Sequence, residues 1–270
     1  MDVVAISEFG RLEIARSSTS RLRMKKLRAW LKKNHQLAYG FDFGCSSSEF
    51  KIVRPRLRDD YDHLTLYARL GLYCYNFHKG TSLKFVRWEK YNTLFTCDLD
   101  YYITLEAMDP ASNCVFSFKF CSRSSLFKGN KPVDDYWDRD EEIVPFYTGE
   151  MPKWLSDEAL TSDNKKYYVV QESELHENEW LHLFIEIAFY SKAKTNPELV
   201  EINKVVVETK EDYISEAREK LHAENAIFYI SYKYTGVSSS GLAGDHKAII
   251  RKTMDGITEH MSLEVASEHG

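Results

Sequence analysis

The chain has 270 residues, 43% hydrophobic and 29% charged, with a formal net charge of −5. This fits a soluble globular protein of one or two domains and argues against nucleic acid as a partner of the whole chain. No run of about 20 apolar residues exists to span a bilayer, and Asp2 and Glu8 interrupt the stretch where a secretory leader needs an apolar core.

Residues 1–38 read as a basic N-terminal segment. Up to Lys33 they hold nine Lys or Arg against three Asp or Glu, and Arg21, Arg23, Lys25, Lys26 and Arg28 form a compact basic run. Such a run reads as a nuclear-localisation patch, a nucleic-acid contact, an organellar transit peptide, or a solvated helix paired with the acidic remainder of the chain. The five cysteines, Cys45, Cys74, Cys97, Cys114 and Cys121, are odd in number, and no two have Cys-x-x-Cys spacing. Reduced thiols in an intracellular compartment, cytoplasmic or nuclear, are expected.

Residues 39–128 read as an α+β domain. Arg54-Pro55 ends any preceding helix, and Asp59 or Asp60 offers an N-cap. Leu66, Leu70, Tyr73 and Phe77 then recur at helical spacing, and Gly80 stands where a C-terminal cap is expected. Gly71 lies inside this helix at a cost of about 1 kcal/mol against Ala, which points to close packing of the helix on a sheet. The period then changes to two. Leu83 to Trp88, Tyr101 to Ala107 and Cys114 to Phe120 are three alternating strands, with a turn at Asp109-Pro110-Ala111-Ser112-Asn113.

Residues 129–166 read as an acidic connecting segment, with Asp134, Asp135, Asp138, Asp140, Glu141 and Glu142 in one run. Residues 167–270 read as a β-rich antiparallel region. Leu181, Leu183, Ile185, Ile187 and Phe189 give a period-two pattern that predicts a strand. Val200 to Thr209, Ala226 to Tyr234, Lys247 to Thr253 and His260 to Val265 are further strand candidates, and Glu211 to Ala223 a short helix.

No catalytic, cofactor or metal site is expected. His176-Glu177-Asn178-Glu179-Trp180 opens like a zinc-protease motif but has Trp180 where the second His belongs. Asp245, His246 and Ser240 supply triad residue types without a nucleophile elbow. Glycine-rich phosphate loops are missing.

Tyr67-Ala68-Arg69-Leu70-Gly71-Leu72, Leu83-Lys84-Phe85-Val86-Arg87 and Tyr102-Ile103-Thr104-Leu105-Glu106-Ala107 together resemble a plant cystatin. Adding Tyr39-Gly40-Phe41-Asp42-Phe43-Gly44, Val207-Glu208-Thr209-Lys210-Glu211-Asp212, Phe228-Tyr229-Ile230-Ser231-Tyr232-Lys233 and Asp245 to Met254, the chain more closely resembles a plant-specific family of uncharacterised, embryo-defective-named proteins described as cystatin/monellin-like. The resemblance implies a helix packed on a curved antiparallel sheet, followed by the further β-rich region, and carries over no activity. In inhibitory cystatins the first hairpin bears Gln-x-Val-x-Gly. Here that loop falls on Leu94, Phe95, Thr96, Cys97 and Asp98, so Gln becomes Leu and Gly becomes Asp, which removes the freedom for a tight turn. The Pro-Trp wedge of the second hairpin has no counterpart between Arg123 and Phe127.

The reading is therefore a non-enzymatic interaction or scaffold protein with a protein partner, contacted through an exposed Leu94–Asp98 hairpin tip. The alternative is a divergent inhibitor of papain-like cysteine proteases.

Overall fold

The computed structural model describes residues 4–7, 51–53, 62–95, 99–124, 147, 149–156, 166–193, 200–210, 217–236, 243–254 and 261–269. The chain folds as two compact α+β units. Unit 1 is Met1–Val3 with Gly10–Leu126, and unit 2 is Val4–Phe9 with Phe127–Gly270. Strand β1 (Val4–Ser7) belongs to unit 2 and is described with it.

Unit 1 contains β2 (Lys51–Val53), α1 (Asp62–Lys79), β3 (Lys84–Phe95), β4 (Leu99–Asp109) and β5 (Cys114–Ser124). The strands pair antiparallel in the order β2-β3-β4-β5. One apolar face of this sheet, carrying Tyr91, Tyr101, Ile103, Leu105, Ala107 and Phe120, packs under α1. From the helix come Leu64, Leu66, Tyr67, Ala68, Leu70, Leu72 and Cys74, all buried. The expected stripe is present at Leu66 and Leu70, but Tyr73 and Phe77 are only half-buried. Asp59 and Asp60, the expected caps, lie outside the described residues.

Gly71 has the packing role its position predicts. A Cβ there would stand 2.8 Å from Cγ of Phe120. At the other end of α1, Gly80 takes φ +62°, the left-handed conformation that closes helices. Asn76 ties that end to the sheet. Its Nδ2 donates to the Leu83 carbonyl at 2.9 Å, and its Oδ1 accepts from the Leu83 N–H at 3.1 Å. The β4–β5 turn forms where Asp-Pro-Ala-Ser-Asn predicts it. Asp109 Oδ1 accepts from the Ala111 N–H at 2.9 Å, and Asn113 adopts φ +53°.

Unit 2 contains β6 (Tyr167–Val169), α2 (Glu172–Glu177), α3 (Trp180–Ala193), β7 (Val200–Glu208), a 3-10 turn (Ala217–His222), β8 (Ala226–Tyr234), β9 (Gly244–Thr253) and β10 (Met261–His269). Strands β6 to β10 form an antiparallel run, and β1 adds to β10 in parallel, with Val4 opposite Met261 and Ser7 opposite Glu264. That parallel strand was not legible in the sequence.

One expectation is overturned here. The stretch from Leu181 to Phe189 is helix α3, not a strand. Leu181, Leu183, Ile185, Ile187 and Phe189 are buried, but so are Phe184 and Ala188, which fall on the other parity. A helix buried nearly all round is apolar at both parities and can mimic alternation. Its 14 residues also exceed the usual strand. The helix predicted over Glu211 to Ala223 appears as the 3-10 turn, and 211–216 lie outside the described residues.

Helix α3 covers one face of the unit 2 sheet. Phe184 meets Phe228 and Trp180 edge-on, at 5.4 and 5.1 Å between ring centroids. The opposite face carries Val206, Ile227, Tyr229 and Ile249. These pack with Tyr147, Met151, Trp154 and Leu155 of an irregular strap formed by 147 and 149–156. Arg251 anchors the strap. It is buried, ion-paired with Glu264, and its Nη2 donates to the Gly149 carbonyl at 3.2 Å.

Candidate functional site

The predicted contact loop is only partly described. Leu94 and Phe95 end β3, paired with Asp100 and Leu99 of β4. Thr96, Cys97 and Asp98 lie outside the described residues, as do Arg21, Arg23, Lys25, Lys26 and Arg28 of the basic run and the acidic run from Asp134 to Glu142. Leu94 and Phe95 are thus placed by their backbone alone.

The opposite end of the same meander presents apolar surface. Val86, Val115 and Phe116 are 46%, 54% and 47% exposed, three of the four large apolar side chains that are so exposed among the described residues. All three lie at the same end of the meander but not on one face. Phe116 stands opposite Ala107, on the face that α1 packs against, and Val115 opposite Met108, on the other face, while Val86 sits in the bulge beside Phe85 on β3. This end of the sheet therefore exposes apolar side chains on both faces.

The histidines of the zinc-like stretch part company. His176 lies in the last turn of α2 and His182 on α3, both exposed. Among the described residues no group of three His, Cys, Asp or Glu could hold a metal ion. His246 is buried and stacks on Tyr232 at 5.4 Å, on the α3 side of β9, while Asp245 is exposed. Ser240 lies outside the described residues.

Two polar arrangements escaped sequence reasoning. The first centres on buried Glu174. The Tyr168 hydroxyl and the Gln171 N–H donate to its Oε2, the latter at 2.9 Å, and Arg218 Nε lies 2.8 Å from its Oε1. Arg218 also reaches Glu177 at 2.9 Å, so one guanidinium joins α2 to the 3-10 turn. Burial raises the Glu174 pKa, but these donors outweigh it and hold the carboxyl below its ordinary value. The Tyr168 hydroxyl is pushed up to about 12 by desolvation and by its bond to Glu174. The arrangement is a structural latch in which Oε2 accepts two hydrogen bonds and Oε1 is held by the ion pair with Arg218.

The second lies on the strap face of unit 2. Lys204 of β7, Ser231 of β8 and Lys247 of β9 are consecutive cross-strand partners. They border a cavity of about 260 Å3 that is walled by Trp154, Leu155, Val206 and Tyr229. The Lys247 ammonium stands 5.1 Å over the Trp154 ring. These residues are distant in sequence and meet only through sheet register, so no local motif signals them.

Comparison with known proteins gives consistent relatives. A family model described as Protein MS5 matches residues 151–263, the span from the strap into β10. UPF0725 protein At5g63820 of Arabidopsis thaliana is 44% identical over 98% of this chain and 94% of its own length. UPF0725 protein At4g29550 of the same plant is 36% identical, covering 84% of this chain and 70% of its own. The crystal structure of MS5 from Brassica napus superposes with a TM-score of 0.60 at 28% identity, covering 78% of this chain and 99% of that one.

Proposed function

We propose that this chain, which belongs to the UPF0725 family of plant proteins, is a non-catalytic interaction or scaffold protein that works inside the cell. The observation that carries the reading is the end of the unit 1 meander, where Val86, Val115 and Phe116 are exposed, Val115 and Phe116 on opposite faces of β5. A partner covering them would remove apolar surface from water, the main source of association free energy. On this reading the contact lies at the opposite end of the strands from Leu94 to Asp98.

Within this reading unit 1 is a cystatin-like platform. The support is its connectivity: a strand, a helix, then a three-strand meander whose face the helix covers. The basic run Arg21, Arg23, Lys25, Lys26 and Arg28 then serves either as a nuclear-targeting patch or as a solvated segment paired with the acidic body. Imaging of a fluorescent fusion with these five residues changed to Ala separates the two, because only the targeting role predicts redistribution.

The contact is tested by placing a photo-crosslinking amino acid at position 115 or 116 in the plant cell. The same discrete adduct is expected from both positions, in variants with an unchanged urea midpoint, because a partner gripping this end reaches both faces of β5. No adduct from either position defeats the assignment of this surface.

A divergent inhibitor of papain-like cysteine proteases is the second reading. It draws on the β3–β4 hairpin, which brings Phe95 opposite Leu99 and leaves Thr96, Cys97 and Asp98 as the connection. Titration against papain, beside a Leu94→Gln/Asp98→Gly variant, tests it. Inhibition by the native chain upholds this reading, and its absence from the native chain removes it.

A further inference from the structure

Lys204, Ser231 and Lys247 form one row across three adjacent strands, with the Ser231 hydroxyl between two ammonium-bearing stems. Strands lie about 4.8 Å apart, so the two lysines stand across a gap that one small anion can bridge. Like charges sharing a sheet face are unfavourable, and sheets commonly set opposite charges across such positions. Glu268 of β10 stands opposite Lys247 in the same row, and the Lys247 ammonium also rests over Trp154. Lys204, exposed at the other end of the row, has no carboxylate within ion-pair distance among the described residues.

The remaining walls are apolar. Val206 and Tyr229 form the next row of the sheet. Trp154 stands edge-on to Tyr229 at 6.0 Å. The Tyr229 hydroxyl is already committed to Glu208 at 2.7 Å, on the far side of Val206 from Lys204, so this residue offers the cavity its ring. A bare inorganic anion would leave these walls in contact with water. A neutral aromatic ligand would leave Lys204 without a partner charge.

We propose that this cavity binds a small aromatic carboxylate. The ring lies against Trp154 and Val206, and the carboxylate accepts from Lys204, Lys247 and the Ser231 hydroxyl. The volume of about 260 Å3 falls just below the range of about 300–1,000 Å3 usual for drug-sized ligands, which suits a one- or two-ring acid. The strap supplies the aromatic wall, so the site needs Gly149 and Glu150 held by Arg251.

Calorimetric titration of the full chain with 2-naphthoate at low salt tests the site, with acetate and neutral 2-naphthamide as its two halves. Naphthoate should bind in the micromolar to sub-millimolar range, and its affinity should fall as salt screens the lysines. The amide should bind at least about tenfold more weakly, the loss expected when one charge-assisted hydrogen bond is missing. Lys204→Met should show the same loss with the circular dichroism spectrum unchanged. Lys247→Met also removes the Trp154 contact, so Lys204→Met is decisive. If it unfolds, Lys204→Gln takes its place. Equal binding of acid and amide, wild-type affinity in a folded Lys204 variant, or no binding at millimolar naphthoate would each overturn the proposal.

Discussion

Gly71 and Phe120 meet so closely in unit 1 that a single methyl group on the glycine would lie 2.8 Å from the ring's Cγ and 3.2 Å from its Cβ. The helix can sit this low on the sheet only without a side chain at position 71. Gly71→Ala therefore sets two effects against each other. Helix propensity favours Ala by about 1 kcal/mol, while overpacking costs about 1–3 kcal/mol. The overlap involves the root of the ring rather than a flexible tip, so a net loss is expected. Urea unfolding should show it, and Phe120→Leu added to Gly71→Ala should recover part of it. A Gly71→Ala variant more stable than the parent would show that the helix rides up freely.

Phe184 is fully buried and touches both Trp180 and Phe228 edge-on. Phe184→Ala should cost about 3–5 kcal/mol, the range for deleting a core aromatic. The same substitution at exposed Phe116 should change stability by less than about 0.5 kcal/mol. Urea midpoints for the pair give the comparison. Similar losses at both sites would contradict the burial described for them.

Stability should fall at high pH. Burial pushes the Tyr232 hydroxyl up to about 12, and burial with the Glu208 hydrogen bond raises Tyr229 further. Unfolded tyrosines ionise near pH 10. The contribution of these groups is whole below that value and is lost as pH climbs toward the folded-state values, because the unfolded chain then binds fewer protons. Urea midpoints at pH 9 and 11 should differ, and Tyr229→Phe should narrow the gap. An unchanged gap in that variant would remove Tyr229 from the account.

Glu174 behaves in the opposite sense. Its carboxyl is held below the ordinary value by Tyr168, Gln171 and Arg218 despite burial. Its contribution is present above the unfolded carboxyl pKa, about 4.3, and is lost as pH falls through the lower folded value. Glu174→Gln should be less stable at pH 7 and should flatten the decline below pH 5. Arg218→Met should weaken the same latch by about 1–3 kcal/mol, since it strips a charged partner from a buried carboxylate. A Gln variant with the parent's acid profile would refute this role.

Much of unit 1 was legible because its signals are local. Leu66 and Leu70 carry a helical period, Asp109 to Asn113 a turn, and Tyr101 to Ala107 a strict alternation, and each fixes structure within its own stretch. In unit 2 the strands from Val200 onward were legible for the same reason. Helix α3 was not, because Phe184 and Ala188 fill the parity that a half-buried strand leaves polar. The Lys204–Ser231–Lys247 row was not legible either. Its members come from three strands, and only their register makes them neighbours. Thr96, Cys97 and Asp98 were singled out through resemblance, whereas exposed Phe116 drew attention only as one member of an alternating strand.

The parallel pairing of β1 with β10 has a consequence in the order of synthesis. Val4 leaves the ribosome long before Met261, its partner. Domains commonly begin to fold as the chain emerges, and both the unit 1 meander and strands β6 to β9 can assemble from neighbouring segments. The edge that β1 occupies exists only after β10 is made. Formation of the β1–β10 pair is therefore a late event that joins segments more than 250 residues apart in sequence.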